Sequence, residues 1–114
     1  MIIYKKGNIL ESKAEALVNT VNTQGVMGKG IALQFKNAFP SNYKIYQDIC
    51  KNGSFQIGDL LIVEENGLIS GKKTIINFPT KTSWRKPSEY SYIEKGLEKL
   101  VQVIEEKKLN SIAI

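Results

Sequence analysis

The clearest structural signal in the chain is the stretch Ala16-Leu-Val-Asn-Thr-Val-Asn-Thr-Gln-Gly-Val-Met-Gly-Lys-Gly-Ile31. Its first residues form a short apolar run, which predicts a buried strand from Ala16 to Thr20. Three glycines follow, at positions 25, 28 and 30, and predict a loop that bends tightly and approaches a ligand closely. Apolar residues at helical spacing then predict a helix from Lys29 to Phe39, ended by Pro40. A loop that opens a helix presents free N–H groups, so it suits phosphate.

The rest of the sequence alternates between strand and helix patterns. A second helix is predicted from Ser41, its cap, to Asn52-Gly53, and a third begins at Ser88 or Ser91, where Gly96 marks close packing on the sheet. Further strands and turns are predicted as follows: strands at Ile2–Tyr4, Leu60–Val63, Thr74–Phe78 (closed by Pro79) and Ser111–Ile114, and turns at Lys5–Asn8, Asn66-Gly67 (with Leu68-Ile69 extending the ribbon) and Gly71–Lys73. This alternation predicts an α/β fold with a partly parallel sheet, in one domain of 114 residues.

Composition excludes several classes of function. The chain has no histidine, which excludes histidine-based general base catalysis and histidine-ligated metals. Its single cysteine, Cys50, removes the usual zinc sites and is expected to be a core thiol in a cytoplasmic protein. No apolar run approaches a membrane span, and neither a metal nor a cofactor is implied. A net charge of +5 favours polyanions such as nucleic acid or nucleotides.

Polar side chains near two predicted strand ends are the candidates for chemistry. Asn19 and Asn22 have donors and acceptors that fit sugar hydroxyls, although either could instead bond local backbone as a turn former. Lys81 lies just past a strand end and becomes a nucleophile if its pKa is lowered; taken alone, it reads as an ordinary surface lysine. Trp84 and Arg85 could stack on a base or hold phosphate, or could be packing or rim residues.

Two segments together carry a family resemblance. The first is Asn19-Thr-Val-Asn-Thr-Gln-Gly-Val-Met-Gly-Lys-Gly-Ile-Ala-Leu-Gln-Phe-Lys36, followed by Ala38-Phe39-Pro40, and the second is Asn77-Phe-Pro-Thr-Lys81 with Trp84-Arg85. They closely resemble the macro domain family, whose members bind ADP-ribose. The match is closest to the branch that removes ADP-ribose from DNA, which includes the antitoxins of DNA-modifying toxins and a related eukaryotic ADP-ribosyl-glutamate hydrolase. The resemblance implies a mixed, mostly parallel central sheet flanked by helices.

The resemblance also implies roles for individual residues. Lys81 would act at the anomeric carbon of the distal ribose, as a nucleophile or as a cation that stabilises the leaving group, with Asn22 as a second catalytic candidate. Asn8 and Ile9 would lie at the adenine end, where the family often has aspartate at the position of Asn8. The remaining ligand-binding candidates are Asn19, Thr20, Val26, Met27, Gly28, Lys29, Gly30, Ile31 and Thr80, and the nucleic-acid candidates are Trp84 and Arg85.

The activity implied is hydrolysis of the bond between ADP-ribose and thymine in DNA, reversing the action of an ADP-ribosyltransferase toxin. Two alternatives remain open: a reader that binds ADP-ribose without turnover, and a hydrolase of ADP-ribosyl-glutamate esters on protein. Family members continue past the strand at Ser111–Ile114 into a second glycine-rich loop and a further helix. We therefore expect residues 1–114 to be a single, incomplete macro domain that binds ADP-ribose poorly and is inactive by itself.

Overall fold

The structure, a computed structural model, describes residues 9–67, 71–83 and 88–114. After a short 3₁₀ helix, Ile9–Glu11, the elements in chain order are β1 (Ala16–Asn22), α1 (Gly30–Ala38), α2 (Pro40–Lys51), β2 (Leu61–Gly67), β3 (Gly71–Lys81), α3 (Tyr90–Lys107) and β4 (Ile112–Ala113). The α/β alternation predicted from the sequence is confirmed. The predicted strand at Ile2–Tyr4 and the turn at Lys5–Asn8 lie outside the described residues, as does the extension at Leu68-Ile69.

Among the described residues, four strands form one sheet in the order β2-β3-β1-β4. β1 runs parallel to both β3 and β4, whereas β2 and β3 form an antiparallel hairpin. The predicted mixed, mostly parallel sheet is confirmed. β1 and β3 are central and carry nearly continuous buried runs, as expected of strands covered on both faces. Their carboxyl ends therefore meet at the same edge of the sheet, where open α/β sheets bind ligands.

Side chains alternate between the two faces of the sheet and build separate parts of the core. On one face, Ala16, Val18, Ile76 and Phe78 pack with Leu100 of α3. On the other face, Leu17 and Ile75 pack with Phe35 and Phe39 at α1. A third cluster, Val21, Met27, Tyr46 and Phe55, lies below the glycine-rich loop. The close packing predicted at Gly96 is confirmed, because a Cβ there would clash with the ring of Phe78.

The hairpin differs from the prediction. Asn66 and Gly67 were expected to turn, yet both lie in β2 and pair with Lys72 and Gly71. The turn predicted at Gly71–Lys73 is therefore also wrong, because cross-strand pairing extends β3 back to Gly71. Pro79 does not close β3, which continues to Lys81. Pairing between β2 and β3 ends at Asn77, so at Pro79 β3 is paired only with β1. The strand can therefore continue through Pro79 although proline has no backbone N–H to donate to β2.

The helix caps also differ from the prediction. Ser41 is the second residue of α2, which begins with Pro40 in its first turn after the N-cap Phe39. α3 begins after Glu89 with no side-chain cap, so neither Ser88 nor Ser91 caps it in the way the sequence suggested. None of the helices within the described ranges is long and apolar enough to span a membrane.

Candidate functional site

The glycine-rich loop after β1 is organised by the side chain of Asn22. Its Oδ1 accepts the backbone N–H groups of Gln24 (3.0 Å) and Val26 (3.3 Å), and its Nδ2 donates to the backbone oxygen of Val26 at 2.9 Å. These bonds are those of a local turn former. Asn22 therefore shapes the loop, and its predicted catalytic contact with a ligand stays a prediction.

Backbone geometry in the loop requires glycine at two positions. Gly25 and Gly30 have φ of 89° and 63°, in the left-handed region that favours glycine. Gly25 also lies against α2, since a Cβ there would be 3.2 Å from Cβ of Cys50. Gly28, the third glycine, has no such φ. The predicted tight bends are thus confirmed at Gly25 and Gly30, whereas at Gly28 an added Cβ would make an ordinary contact of 3.5 Å with the side chain of Val26.

The exposed part of the loop leads directly into α1. Val26 is 39% exposed and Ile31 38%, and the three residues from Gly28 to Gly30 are exposed as well. Met27 is the exception, because it is only 1% exposed and packs in the third core cluster. The N-cap of α1 is Lys29, whose own side chain makes no capping hydrogen bond. The first N–H groups of α1 can therefore bind an anion. The side chain of Met27 is buried, so only the backbone of Met27 could contact that anion.

Strand register brings Lys81 to this loop. Asn22 of β1 pairs with Lys81 of β3, and an irregularity after Val21 leaves Thr80 without a partner on β1. The backbone N–H of Thr23 donates to the oxygen of Lys81 at 3.0 Å, and its hydroxyl donates to the oxygen of Thr82 at 3.1 Å. Thr80 and Lys81 are both half-buried. The two segments singled out in the sequence, 58 residues apart, thus meet at one edge of the sheet.

Three buried amides lie deeper between the sheet and α2. Asn77 Nδ2 donates to Oδ1 of Asn42 at 2.7 Å and to the backbone oxygen of Leu61 at 3.1 Å. Oδ1 of Asn77 in turn accepts from Nδ2 of Asn42 (3.2 Å) and of Asn19 (3.4 Å). The Oδ1 atom of Asn19 is buried and has no hydrogen-bond partner among the described residues. The predicted contact of Asn19 with a ligand stays a prediction, and its whole side chain is buried in this structure.

The other predicted site residues are dispersed. Thr20 is the exposed position of β1, one residue after Asn19. Ile9 is half-buried in the 3₁₀ helix and packs against the second core cluster. Asn8, Trp84 and Arg85 lie outside the described residues. In the described ranges, no three histidine, cysteine, aspartate or glutamate side chains gather to hold a metal ion.

Sequence reasoning missed Asn42 and Tyr46, which connect α2 to this site. Both are polar positions on the buried side of α2. A signal was available, because an amide and a phenol four residues apart share one helix face. The largely apolar ring of Tyr46 fits the apolar face of the predicted helix, and this hid the role of its hydroxyl.

Comparison with known proteins identifies the family. The macro domain pattern matches residues 18–114. The chain belongs to the macro domain family. This macro domain is 51% identical over 114 residues to a Thermus aquaticus protein named DNA ADP-ribosyl glycohydrolase, covering 100% of this chain and 31% of that protein. The chain thus spans about a third of the length of the curated relatives it matches.

Two solved structures show the same fold. The macrodomain of Mycobacterium tuberculosis DarG is 50% identical, with a TM-score of 0.91 over 98% of this macro domain and 73% of that chain. Thermosipho africanus DarTG, solved in complex with ADP-ribose, is 31% identical, with a TM-score of 0.84 over 93% of this chain and 30% of that one.

Proposed function

We propose that the protein removes ADP-ribose from DNA by hydrolysing the glycosidic bond between ADP-ribose and thymine. The observation that carries the proposal is the pairing of Asn22 with Lys81, which sets a lysine beside a glycine-rich loop at the carboxyl edge of the sheet. The name of the Thermus aquaticus relative, DNA ADP-ribosyl glycohydrolase, supports this reaction. The Thermosipho africanus DarTG complex supports ADP-ribose as the ligand.

The loop and the start of α1 would hold the ligand. The backbone of Met27, Gly28, Lys29, Gly30 and Ile31 would donate N–H groups to the pyrophosphate. Val26, whose own N–H is bonded to Oδ1 of Asn22, would join them in surrounding the distal ribose. Asn19 would contact the ribose hydroxyls through its Oδ1, which is buried in this structure and would have to become accessible on binding. Asn22 would keep the loop in its bent form, and Thr20 and Thr80 would line the same strand ends. Asn8 and Ile9 would contact adenine.

Lys81 would act at the anomeric carbon of the distal ribose. In the overall reaction, the bond from that carbon to the thymine nitrogen breaks and water supplies the new oxygen. The thymine nitrogen leaves with the electron pair and takes up a proton. The ammonium of Lys81 would stabilise this departure, or its amine would first attack the carbon as a nucleophile. Trp84 and Arg85 would contact the DNA strand.

We also propose a biological setting for this reaction. Removing ADP-ribose from thymine restores the base, which is a form of DNA repair. The protein would then be the antitoxin to a cognate DNA ADP-ribosyltransferase, acting in the cytoplasm, where the modified DNA is. The net charge of +5 fits a polyanionic substrate. No cofactor or metal has a part in this proposal, and residues 1–114 would belong to a single domain.

The deciding experiment measures release of ADP-ribose from a DNA oligonucleotide that carries ADP-ribosyl-thymidine. It compares the unmodified protein with its Lys81→Ala variant. Release of ADP-ribose is expected to fall at least about a hundredfold in the variant. Lys72→Ala, on the same strand but exposed and far from the loop, is the matched control and should leave release unchanged. Equal release by the protein and Lys81→Ala would overturn the catalytic role of the lysine.

The same assay separates the two alternatives. Tight ADP-ribose binding in calorimetry without cleavage of any modified substrate would make the protein a reader. Release from glutamate-linked protein in place of thymidine-linked DNA would make it an ester hydrolase.

A further inference from the structure

A phenol from α2 reaches into the hydrogen bonds of the glycine-rich loop. The hydroxyl of Tyr46 lies 2.7 Å from the backbone oxygen of Asn22 and 2.8 Å from its Oδ1. The Tyr46 hydroxyl thus donates its hydrogen to the backbone oxygen and Oδ1 of Asn22 in a shared hydrogen bond. Oδ1 of Asn22 is the same atom that accepts the N–H groups of Gln24 and Val26. Tyr46 thus acts on the atom that shapes the loop.

The surroundings of Tyr46 keep the hydroxyl in place and protonated. Its side chain is fully buried, and its ring meets Phe55 edge-on, with centroids 6.1 Å apart. Burial, with Cys50 nearby, raises the pKa of Tyr46 far above its usual range, so the phenol stays a donor at neutral pH. The loop backbone packs on the same helix at Gly25, whose added Cβ would lie 3.2 Å from Cβ of Cys50. The helix and the loop are therefore in direct contact beside this hydrogen bond.

We propose that Tyr46 is a positioning residue for the ligand-binding loop. It holds Asn22 in the one orientation that directs the N–H groups of Gln24 and Val26 inward and leaves the residues from Gly28 to Gly30 free. In its ligand-binding part, this inference rests on the proposed function. Tyr46 does not itself touch the ligand, because it is buried beneath the loop and acts through Asn22.

The test is Tyr46→Phe, which removes the hydroxyl and keeps the ring. Tyr43→Phe is the matched control, because Tyr43 lies one turn earlier on α2 and its hydroxyl accepts only a side-chain bond, from Gln47 at 3.2 Å. Three readouts are compared in both variants: amide hydrogen exchange at Gln24 and Val26, calorimetric affinity for ADP-ribose, and kcat and KM for release of ADP-ribose from the DNA substrate.

In Tyr46→Phe, exchange at Gln24 and Val26 should quicken about tenfold, with ADP-ribose affinity reduced and KM raised by a similar factor. The kcat should change less, because Lys81 is held by β3. Tyr43→Phe should match the unmodified protein in all three readouts. A merely structural role would lower the folded fraction, and hence the apparent kcat, without raising KM.

Unchanged exchange at both amides in Tyr46→Phe would overturn the positioning role, whatever the ligand. Faster exchange with unchanged ADP-ribose affinity would overturn its part in ligand binding. Absence of ADP-ribose binding by the unmodified protein would instead overturn the proposed function and the ligand-binding part of this inference, and the exchange rates would still decide whether Tyr46 holds the loop.

Discussion

Glu65 of β2 caps helix α2 through the backbone N–H of Asn42, which lies 2.6 Å from its Oε1. The other carboxylate oxygen accepts the N–H of Ser41 at 3.2 Å. One side chain thus satisfies two of the N–H groups that a helix leaves without partners in its first turn. Its negative charge also lies at the positive end of the helix dipole. The helix that carries Asn42 and Tyr46 is therefore fixed to the hairpin at its start.

Replacing this cap should cost stability. Glu65→Ala is expected to lower the free energy of unfolding by about 1–2 kcal/mol, the usual loss for a helix cap. Glu64→Ala, one residue earlier, is the control: Glu64 is largely exposed and makes a 3.9 Å ion pair with Lys72, so the change should stay within about 0.5 kcal/mol. Chemical denaturation of the three proteins measures both effects. Equal losses in the two variants would show that Glu65 is not a cap.

Two adjacent lysines on β3 offer a second matched pair. Lys73 is 7% exposed, and its Nζ donates to the backbone oxygens of Ser12 (2.9 Å) and Ala14 (2.6 Å). Lys73→Met keeps the apolar stem and leaves those oxygens unpaired, so the free energy of unfolding should fall by about 1–3 kcal/mol.

The neighbouring Lys72 is 74% exposed, and Lys72→Met should change the free energy of unfolding by less than about 0.5 kcal/mol. Thermal or chemical denaturation distinguishes the two. If Lys73→Met were as stable as Lys72→Met, water would be replacing the lost hydrogen bonds to the two carbonyls. Lys73 would then not stabilise the fold.

The thiol of Cys50 predicts how stability depends on pH. Burial raises the pKa of Cys50 from 9.0 to about 11, and the nearby Tyr46 hydroxyl acts in the opposite direction. Above pH 9 the unfolded chain loses this proton while the folded chain keeps it. The stabilisation is therefore complete below pH 9 and is lost as the pH rises towards 11.

The free energy of unfolding should accordingly fall over this interval in the unmodified protein and fall less steeply in Cys50→Ala. Denaturation under reducing conditions from about pH 8 to about pH 11 measures both slopes. A residual slope is expected in the variant, because burial also holds Tyr46 neutral. Parallel curves for the two proteins would contradict the assignment to Cys50.

Local sequence was sufficient to predict the elements whose signals are local. The apolar run from Ala16 and the glycines at positions 25 and 30 led to structure that is confirmed, because each depends on neighbouring residues. The close packing predicted at Gly96 is confirmed as well, although its partner, Phe78, comes from a strand that the helix pattern does not identify. The meeting of the loop with Lys81 was predicted from the family resemblance, and strand register supplies its physical basis.

Features set by distant partners were not predictable in this way. The cap of α2 comes from Glu65, 23 residues after Asn42 in the chain, so the nearby Ser41 was chosen wrongly. The turns at Asn66-Gly67 and Gly71–Lys73 were wrong because cross-strand pairing outweighed the turn preference of asparagine and glycine. The helix face that carries Tyr46 could be predicted, but the acceptor of its hydroxyl could not, since that acceptor becomes its neighbour only after folding.

The mutual bonding of Asn19, Asn42 and Asn77 ties together segments up to 58 residues apart. Each of these amides forms a hydrogen bond with another of the three. An apolar replacement of one therefore leaves its partner buried without a hydrogen bond, which lowers the free energy of unfolding. Replacing all three together by apolar side chains of similar shape can leave the free energy of unfolding almost unchanged. A single substitution among the three is therefore expected to cost more than a concerted exchange of all three. A designer who grafts the loop onto another scaffold must carry these three positions with it.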